Sequence, residues 1–165
     1  MLTSFNPHKP AVRFGDFNMI AKDGFIAATK PSFEKNNIEA KVADGPYFHR
    51  HGDNHIDEYL VPIHTKNNLA ALENIITNPE IRKTVVGLHG NLQVVAKDGF
   101  IAQAKPSFEK NKIEAAIPDG PYFHRHGANN VAEYLVPIQT KNNLAALENI
   151  MTNPEVRKTV VDFQA

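Results

Sequence analysis

The chain has no cysteine and no tryptophan, and its 18 basic side chains are cancelled by 18 acidic ones. Without cysteine there is no disulfide framework, no thiolate nucleophile and no Cys-ligated zinc or iron–sulfur centre, although the redox compartment stays undecided. A formal charge of zero leaves no basic footprint for nucleic acid or anionic lipid. Apolar runs are only a few residues long, and the opening stretch MLTSFNPHKPAVRFGDF holds no continuous hydrophobic segment after a basic start. The expectation is therefore a cytoplasmic protein with no membrane span and no secretory signal. There is no Gly-rich phosphate loop, nucleophile elbow or paired-carboxylate motif, so phosphoryl transfer and serine hydrolysis lack support. What remains, 165 residues with 42% hydrophobic and 22% charged side chains, is globular in composition and long enough to bury a core without covalent staples.

The dominant feature is self-similarity. Residues 21–86 align without a gap on residues 96–161, and 13 of the 66 positions differ, leaving 66 − 13 = 53 identical. Two copies are too few for a solenoid, which needs several units to bury a continuous core, so a pseudo-two-fold pair packed face to face is expected. The organisation that follows is an N-terminal tail at 1–11, a first repeat at 12–86 and a second at 87–165, the two repeats packed as one domain.

Within each repeat, Asp23-Gly24 sits between the β-compatible runs FNMIA and FIAAT, a pattern that predicts a hairpin. Asp98-Gly99 is its counterpart. Lys30-Pro31-Ser32 reads as the start of a short helix ending near Asp44-Gly45-Pro46. Tyr47 to His51 and Asp57 to His64 form a second hairpin around Gly52-Asp53-Asn54, with Pro62 placing its strand at an edge or near its end. Thr65 or Asn67 caps the clearest helix, which presents Leu69, Leu72, Ile75 and Ile76 at helical spacing. Asn78-Pro79-Glu80 stops it and starts another. The unit is thus ββαββα, a circularly shifted form of the ferredoxin-like βαββαβ order.

The segment EYLVPIHTKNNLAALENIITNPEIR, Glu58 to Arg82, resembles the antibiotic-biosynthesis-monooxygenase-like, dimeric α/β-barrel superfamily, in which a strand, an "aLeahl" helix and a "sPe.r" restart follow one another. Glu133 to Arg157 resembles it as well, and Phe25 to Pro31 followed by Ser32-Phe33-Glu34 is similar to the family's first strand and its entry into the first helix. The chain departs from the family in a shorter first helix and in a terminal strand moved to the front. The resemblance implies an α+β protein whose tandem ferredoxin-like repeats close a pseudo-two-fold barrel within one chain. It also implies a range of activities, from cofactor-free oxygenation of aromatic polyketides or quinols to cyclisation and decarboxylation. Haem-degrading members place a Trp beside the macrocycle, and this chain has none.

The densest chemical cluster is Gly45-Pro-Tyr-Phe-His49-Arg50-His51-Gly-Asp53-Asn-His55-Ile-Asp57-Glu58, matched by Tyr122, His124 and His126 in the second copy. On a strand, side chains alternate, so Tyr47, His49 and His51 share one face and Phe48 and Arg50 the other. Imidazoles titrate near neutral pH and could act as base and hydrogen-bond donor toward a phenolic or enolic substrate. Tyr47, His49, His51, Tyr122, His124 and His126 are accordingly the candidate catalytic residues, with no cofactor and no metal. A small apolar or aromatic molecule is the expected partner, and a homo-oligomer is compatible with it. The expected function is small-molecule binding in a barrel, with cofactor-independent monooxygenase or isomerase-type chemistry as its activity. One alternative is a non-catalytic assembly protein that associates through sheet edges or helix faces. Another is a His-based metalloenzyme in which His-x-His and a downstream carboxylate, Glu58, hold iron, manganese or zinc. A hairpin rich in His and Asp is equally compatible with a solvated surface. The copies differ most at this cluster: Asp53, His55, Asp57 and His64 become Ala128, Asn130, Ala132 and Gln139, so a site needing those groups exists once per chain.

Overall fold

A computed structural model describes residues 15–52, 55–127 and 130–164. The tail at 1–11 and part of the turn at Gly52-Asp53-Asn54 lie outside these residues. Each half begins with a strand and a helix: β1 (Gly15–Ala21) and α1 (Phe25–Lys35) in the first, β6 (Leu92–Ala96) and α4 (Phe100–Lys110) in the second. Three strands follow, β2 (Ala40–Val42), β3 (Phe48–His51) and β4 (Asp57–Thr65), matched by β7 (Ala115–Ala116), β8 (Phe123–His126) and β9 (Ala132–Thr140). Two helices and a closing strand complete the halves: α2 (Asn68–Thr77), α3 (Pro79–Arg82) and β5 (Val85–His89), then α5 (Asn143–Thr152), α6 (Pro154–Arg157) and β10 (Val160–Gln164).

The order within each half departs from the expected ββαββα. Asp23-Gly24 does not turn a hairpin; Gly24 has φ 99° and is the residue before α1. Only glycine adopts that left-handed conformation without strain, and it redirects the chain from strand straight into helix. Phe25, Thr29, Ser32 and Phe33 then share one buried stripe at helical spacing, with Pro31 accommodated inside the helix. Packing of this stripe outweighs the β-compatible reading of FIAAT and the helix-breaking tendency of Pro31. The closing strands have no place in the expected order. β5 pairs antiparallel with β1 and β10 with β6, so no strand has moved to the front of the unit. The first sheet therefore runs on through 87–89.

The result is an α+β architecture with two antiparallel five-stranded sheets, β2-β4-β1-β5 and β10-β6-β9-β7, to which β3 and β8 add by pairing with β4 and β9. Among the described residues the sheets do not close into a barrel. Pro62 lies in a strand paired on both sides, yet it breaks no ladder. Its carbonyl accepts a bond from the Ala43 amide, and an antiparallel residue directs N–H and C=O to the same side. The missing donor thus falls in the gap between β3, paired as far as Leu60, and β2, paired from Ile63.

One face of the first sheet carries Phe17, Met19, Ala21, Val61 and Ile63, all buried. Asn67 caps α2 by accepting from the Ala70 amide at 3.0 Å, and Asn78 caps α3 by accepting from the Glu80 amide at 3.0 Å, with Pro79 at the first helical position. The halves meet through helices, not through sheets facing across a hollow. α2 lies against α5 and against β10, while α5 lies against β5. The contacts are reciprocal: Asn68 Nδ2 donates to the Phe163 carbonyl at 2.7 Å, and Asn143 Nδ2 donates to the Leu88 carbonyl at 2.9 Å. Arg82 forks onto Glu148 as Arg157 forks onto Glu73. Because α2 is covered on two sides, Asn68, Leu69, Ala71, Leu72, Ile75 and Ile76 are all buried. No helix among the described residues is long and apolar enough to cross a membrane.

Candidate functional site

The cluster expected from the sequence lies on the β3–β4 hairpin, whose register pairs Phe48 with Leu60, His49 with Tyr59, Arg50 with Glu58 and His51 with Asp57. Directly paired residues point to the same side of a sheet, so His49, His51, Asp57 and Tyr59 share one face and Arg50 and Glu58 the other. His49 lies with its ring stacked on Tyr59 at 5.1 Å between centroids and 26° between planes, and His51 meets it edge-on at 5.4 Å and 89°. Both imidazoles reach one carboxylate oxygen. Nε2 of His49 is 3.2 Å, and Nε2 of His51 3.1 Å, from Asp57 Oδ1. The three side chains are between 44% and 62% exposed, so this site opens to water instead of lining an enclosed interior.

In the second half, His124 and His126 keep the same edge-on arrangement, 5.3 Å and 89°, and His124 stacks on Tyr134 at 5.1 Å. Ala132 occupies the place of Asp57, so no carboxylate joins them there. The geometry of the imidazole pair is therefore set by strand and tyrosine, independent of the acid.

Glu58 does not join the histidines. It is buried on the opposite face and accepts a hydrogen bond from Arg50 Nε at 3.1 Å. Gly52 folds over it so closely that a Cβ on this residue would lie 2.0 Å from Glu58 Oε2. The same lock recurs as Arg125, Glu133 and Gly127. Nor do the four positions that differ between the copies form one site. His55 is exposed in the loop and His64 is exposed, one register step from the inward-facing Ile63 and Thr65, while Asp53 lies outside the described residues.

Tyr47 and Tyr122 also leave the histidine face. Each precedes its strand, and its hydroxyl donates to a backbone carbonyl four residues back, Ala43 for Tyr47 and Pro118 for Tyr122. They line cavities. In the first half a hollow of about 260 Å³ lies between the start of α1 and the two tyrosines, Tyr47 and Tyr59, with Phe25, Ile26, Val61 and Asp23 around it. Its twin of about 240 Å³ is bounded by Phe100, Ile101, Tyr122, Tyr134, Val136 and Asp98. Burial first, then the charge and hydrogen-bonding influence of Asp23, hold the Tyr59 pKa above the ordinary phenol value. Tyr134 is raised chiefly by its hydrogen bond to Asp98, and Tyr47 by burial and the nearby Asp44 charge. Tyr59 is shared, one ring face against His49 while the residue borders the hollow. A larger recess, about 690 Å³, lies elsewhere, at the junction of the halves around Gly90, Asn91, Gln93, Gln139 and Asn142.

The sequence points to the histidine face and includes Asp57 in its cluster, but it pairs the imidazoles with Glu58 and gives Asp23 no role at a site. Cross-strand register sets Asp57 opposite His51. Asp23 was hidden by its assignment to a hairpin turn. Compared with known proteins, the chain matches no family model and no curated protein.

Proposed function

We propose that the protein binds small, mainly apolar or aromatic molecules, one in each half, in the cavities between the start of α1 or α4 and the paired tyrosines. The observation that carries this reading is the recurrence of hollows of about 260 and 240 Å³ with the same walls and the same Asp and Tyr side by side in the lining. Ligand sites combine apolar walls with few polar groups that fix orientation, and typical volumes begin at about 300 Å³. The hollows here therefore suit a single ring with few substituents. Tyr59 and Tyr134, raised in pKa, remain protonated at neutral pH and offer a hydroxyl beside a carboxylate to a phenol or enol. His49 and His124 reach the ligand only through the tyrosines they stack on, so binding is the reading and base catalysis by the imidazoles is not part of it. The strand order, with two helical crossovers per half, supports a tandem pair of ferredoxin-like units in the standard βαββαβ order, β3 and β8 being additions to it.

The test is amide chemical-shift titration with phenol. Two sites are expected in the unaltered chain and one in each of the variants Ile26→Trp and Ile101→Trp, which fill one hollow apiece from half-buried positions. Absence of saturable shifts around the hollows, or shifts untouched by either variant, would overturn the reading.

A further inference from the structure

The cluster of His49, His51 and Asp57 is separate from the hollows and has a different chemistry. We propose that the first half, and not the second, holds one divalent transition-metal ion of the zinc, cobalt or iron(II) class through Nε2 of His49, Nε2 of His51 and Oδ1 of Asp57. These three donor atoms all lie within 4.8 Å of one another, with the two imidazole nitrogens 3.2 and 3.1 Å from the carboxylate oxygen. Around an ion with bonds of about 2.0–2.2 Å, adjacent donors sit about 2.8–3.5 Å apart, so both nitrogen-to-oxygen edges have the length that ligation requires. Two imidazoles and one carboxylate form a borderline donor set that suits these ions. Magnesium and calcium favour oxygen alone. The exposure of all three side chains leaves the remaining coordination positions to water.

The recurrence of the ring pair supports the assignment. The second half carries the same imidazole pair in the same geometry without a carboxylate, 5.3 Å and 89° against 5.4 Å and 89°. The side-by-side placement of the two rings therefore recurs on β3 and on β8 with a stacked tyrosine and without need of an acid, and Nε2 of His49 and of His51, within 4.8 Å of each other, need only side-chain rotation to close on one ion. With the rings alike in both halves, the carboxylate decides which half binds. Ala132 makes the second half a deletion variant supplied by the molecule itself.

The test uses the full chain without an affinity tag, stripped with chelator and titrated with cobalt(II) followed by visible absorption, then with zinc(II) by calorimetry. One ion per chain is expected. Asp57→Ala and the shape-preserving Asp57→Asn are each expected to weaken binding about 100-fold or more, since loss of even a supporting contact costs about 10–100-fold. Ala132→Asp is expected to raise the stoichiometry from one to two, with far-ultraviolet circular dichroism confirming the fold. No saturable binding up to about 1 mM ion, two ions in the unaltered chain, or one ion that survives both Asp57 variants would overturn the proposal. A stoichiometry still at one in folded Ala132→Asp would do so as well. None of these outcomes depends on whether phenol enters the hollows.

Discussion

Gly52→Ala tests how the hairpin that presents the histidines is held. The added Cβ would lie 2.0 Å from Oε2 and 2.2 Å from Cδ of Glu58, well inside ordinary van der Waals contact at 3.4 Å or more. Something must move. Gly52 has a φ outside the left-handed region, so backbone strain does not enter, and the whole cost lies in displacing the side chain of Glu58, a residue only 7% exposed. Swinging Glu58 outward gives up its packing and its bond to Arg50, whose side chain is 53% exposed, so the ion pair itself contributes little. Overpacking then dominates, at about 2 kcal/mol, which for a chain of this size lowers Tm by roughly 4–8 °C. The assay is urea and thermal unfolding of a double-mutant cycle with Glu58→Ala. Removing the carboxyl removes the obstruction, so in the E58A background Gly52→Ala should cost less than about 0.5 kcal/mol. Equal costs in both backgrounds would refute the steric account. Gly127→Ala, facing Glu133 at the same 2.0 Å, should reproduce the effect in the second half.

Further outcomes follow from the same structure. Asn67→Ala and Asn78→Ala, which remove side-chain caps, should each destabilise by about 1 kcal/mol in urea unfolding. Leu72→Ala, fully buried where α2 is covered on both sides, should cost about 2–5 kcal/mol, and a cost below about 1 kcal/mol would contradict that packing. Arg82→Ala, which breaks a half-exposed pair with Glu148, should cost under about 1 kcal/mol and less in high salt. Tyr59 and Tyr134 have folded-state pKa values above the ordinary 10.0. The unfolded chain therefore loses those protons first as pH rises, so their contribution is full below pH 10 and is lost as pH climbs through the raised values. Unfolding measured from pH 9 upward should show this decline, and a Tyr59→Phe, Tyr134→Phe double variant should flatten it.

What the sequence made legible was local. Asn67, Asn78 and Pro79 announce helix boundaries through side-chain and ring chemistry that operates within a turn, and the structure has those caps. The hairpin from Phe48 to Thr65 was readable for the same reason. α1 was not, because Asp23-Gly24 and Phe-Ile-Ala-Ala-Thr satisfy a hairpin pattern locally and only burial of Phe25 and Phe33 against the sheet selects the helix. β5 and β10 escape the sequence pattern because Val85-Val86-Gly87 and Val160-Val161-Asp162-Phe163-Gln164 are short, and the strands they pair with, β1 and β6, are far away in sequence. At the site, alternation along the strand put His49 and His51 on one face, but it also assigned Tyr47 there, although the regular strand begins only at Phe48. The acid that meets the imidazoles depends on cross-strand register, which single-residue pattern does not encode.

The exchange in which Asn68 bonds the edge of the far sheet, while Asn143 bonds the edge of the near one, makes the join between the halves a symmetric handshake. A polypeptide carrying only one such unit would own both the grip and the surface gripped, and so could satisfy them by pairing with another molecule of itself. Tethering two units at Gly90-Asn91 turns that bimolecular event into an intramolecular one. It also frees each member to change alone, and a self-paired ancestor could not have carried Asp57 on one side and alanine on the other.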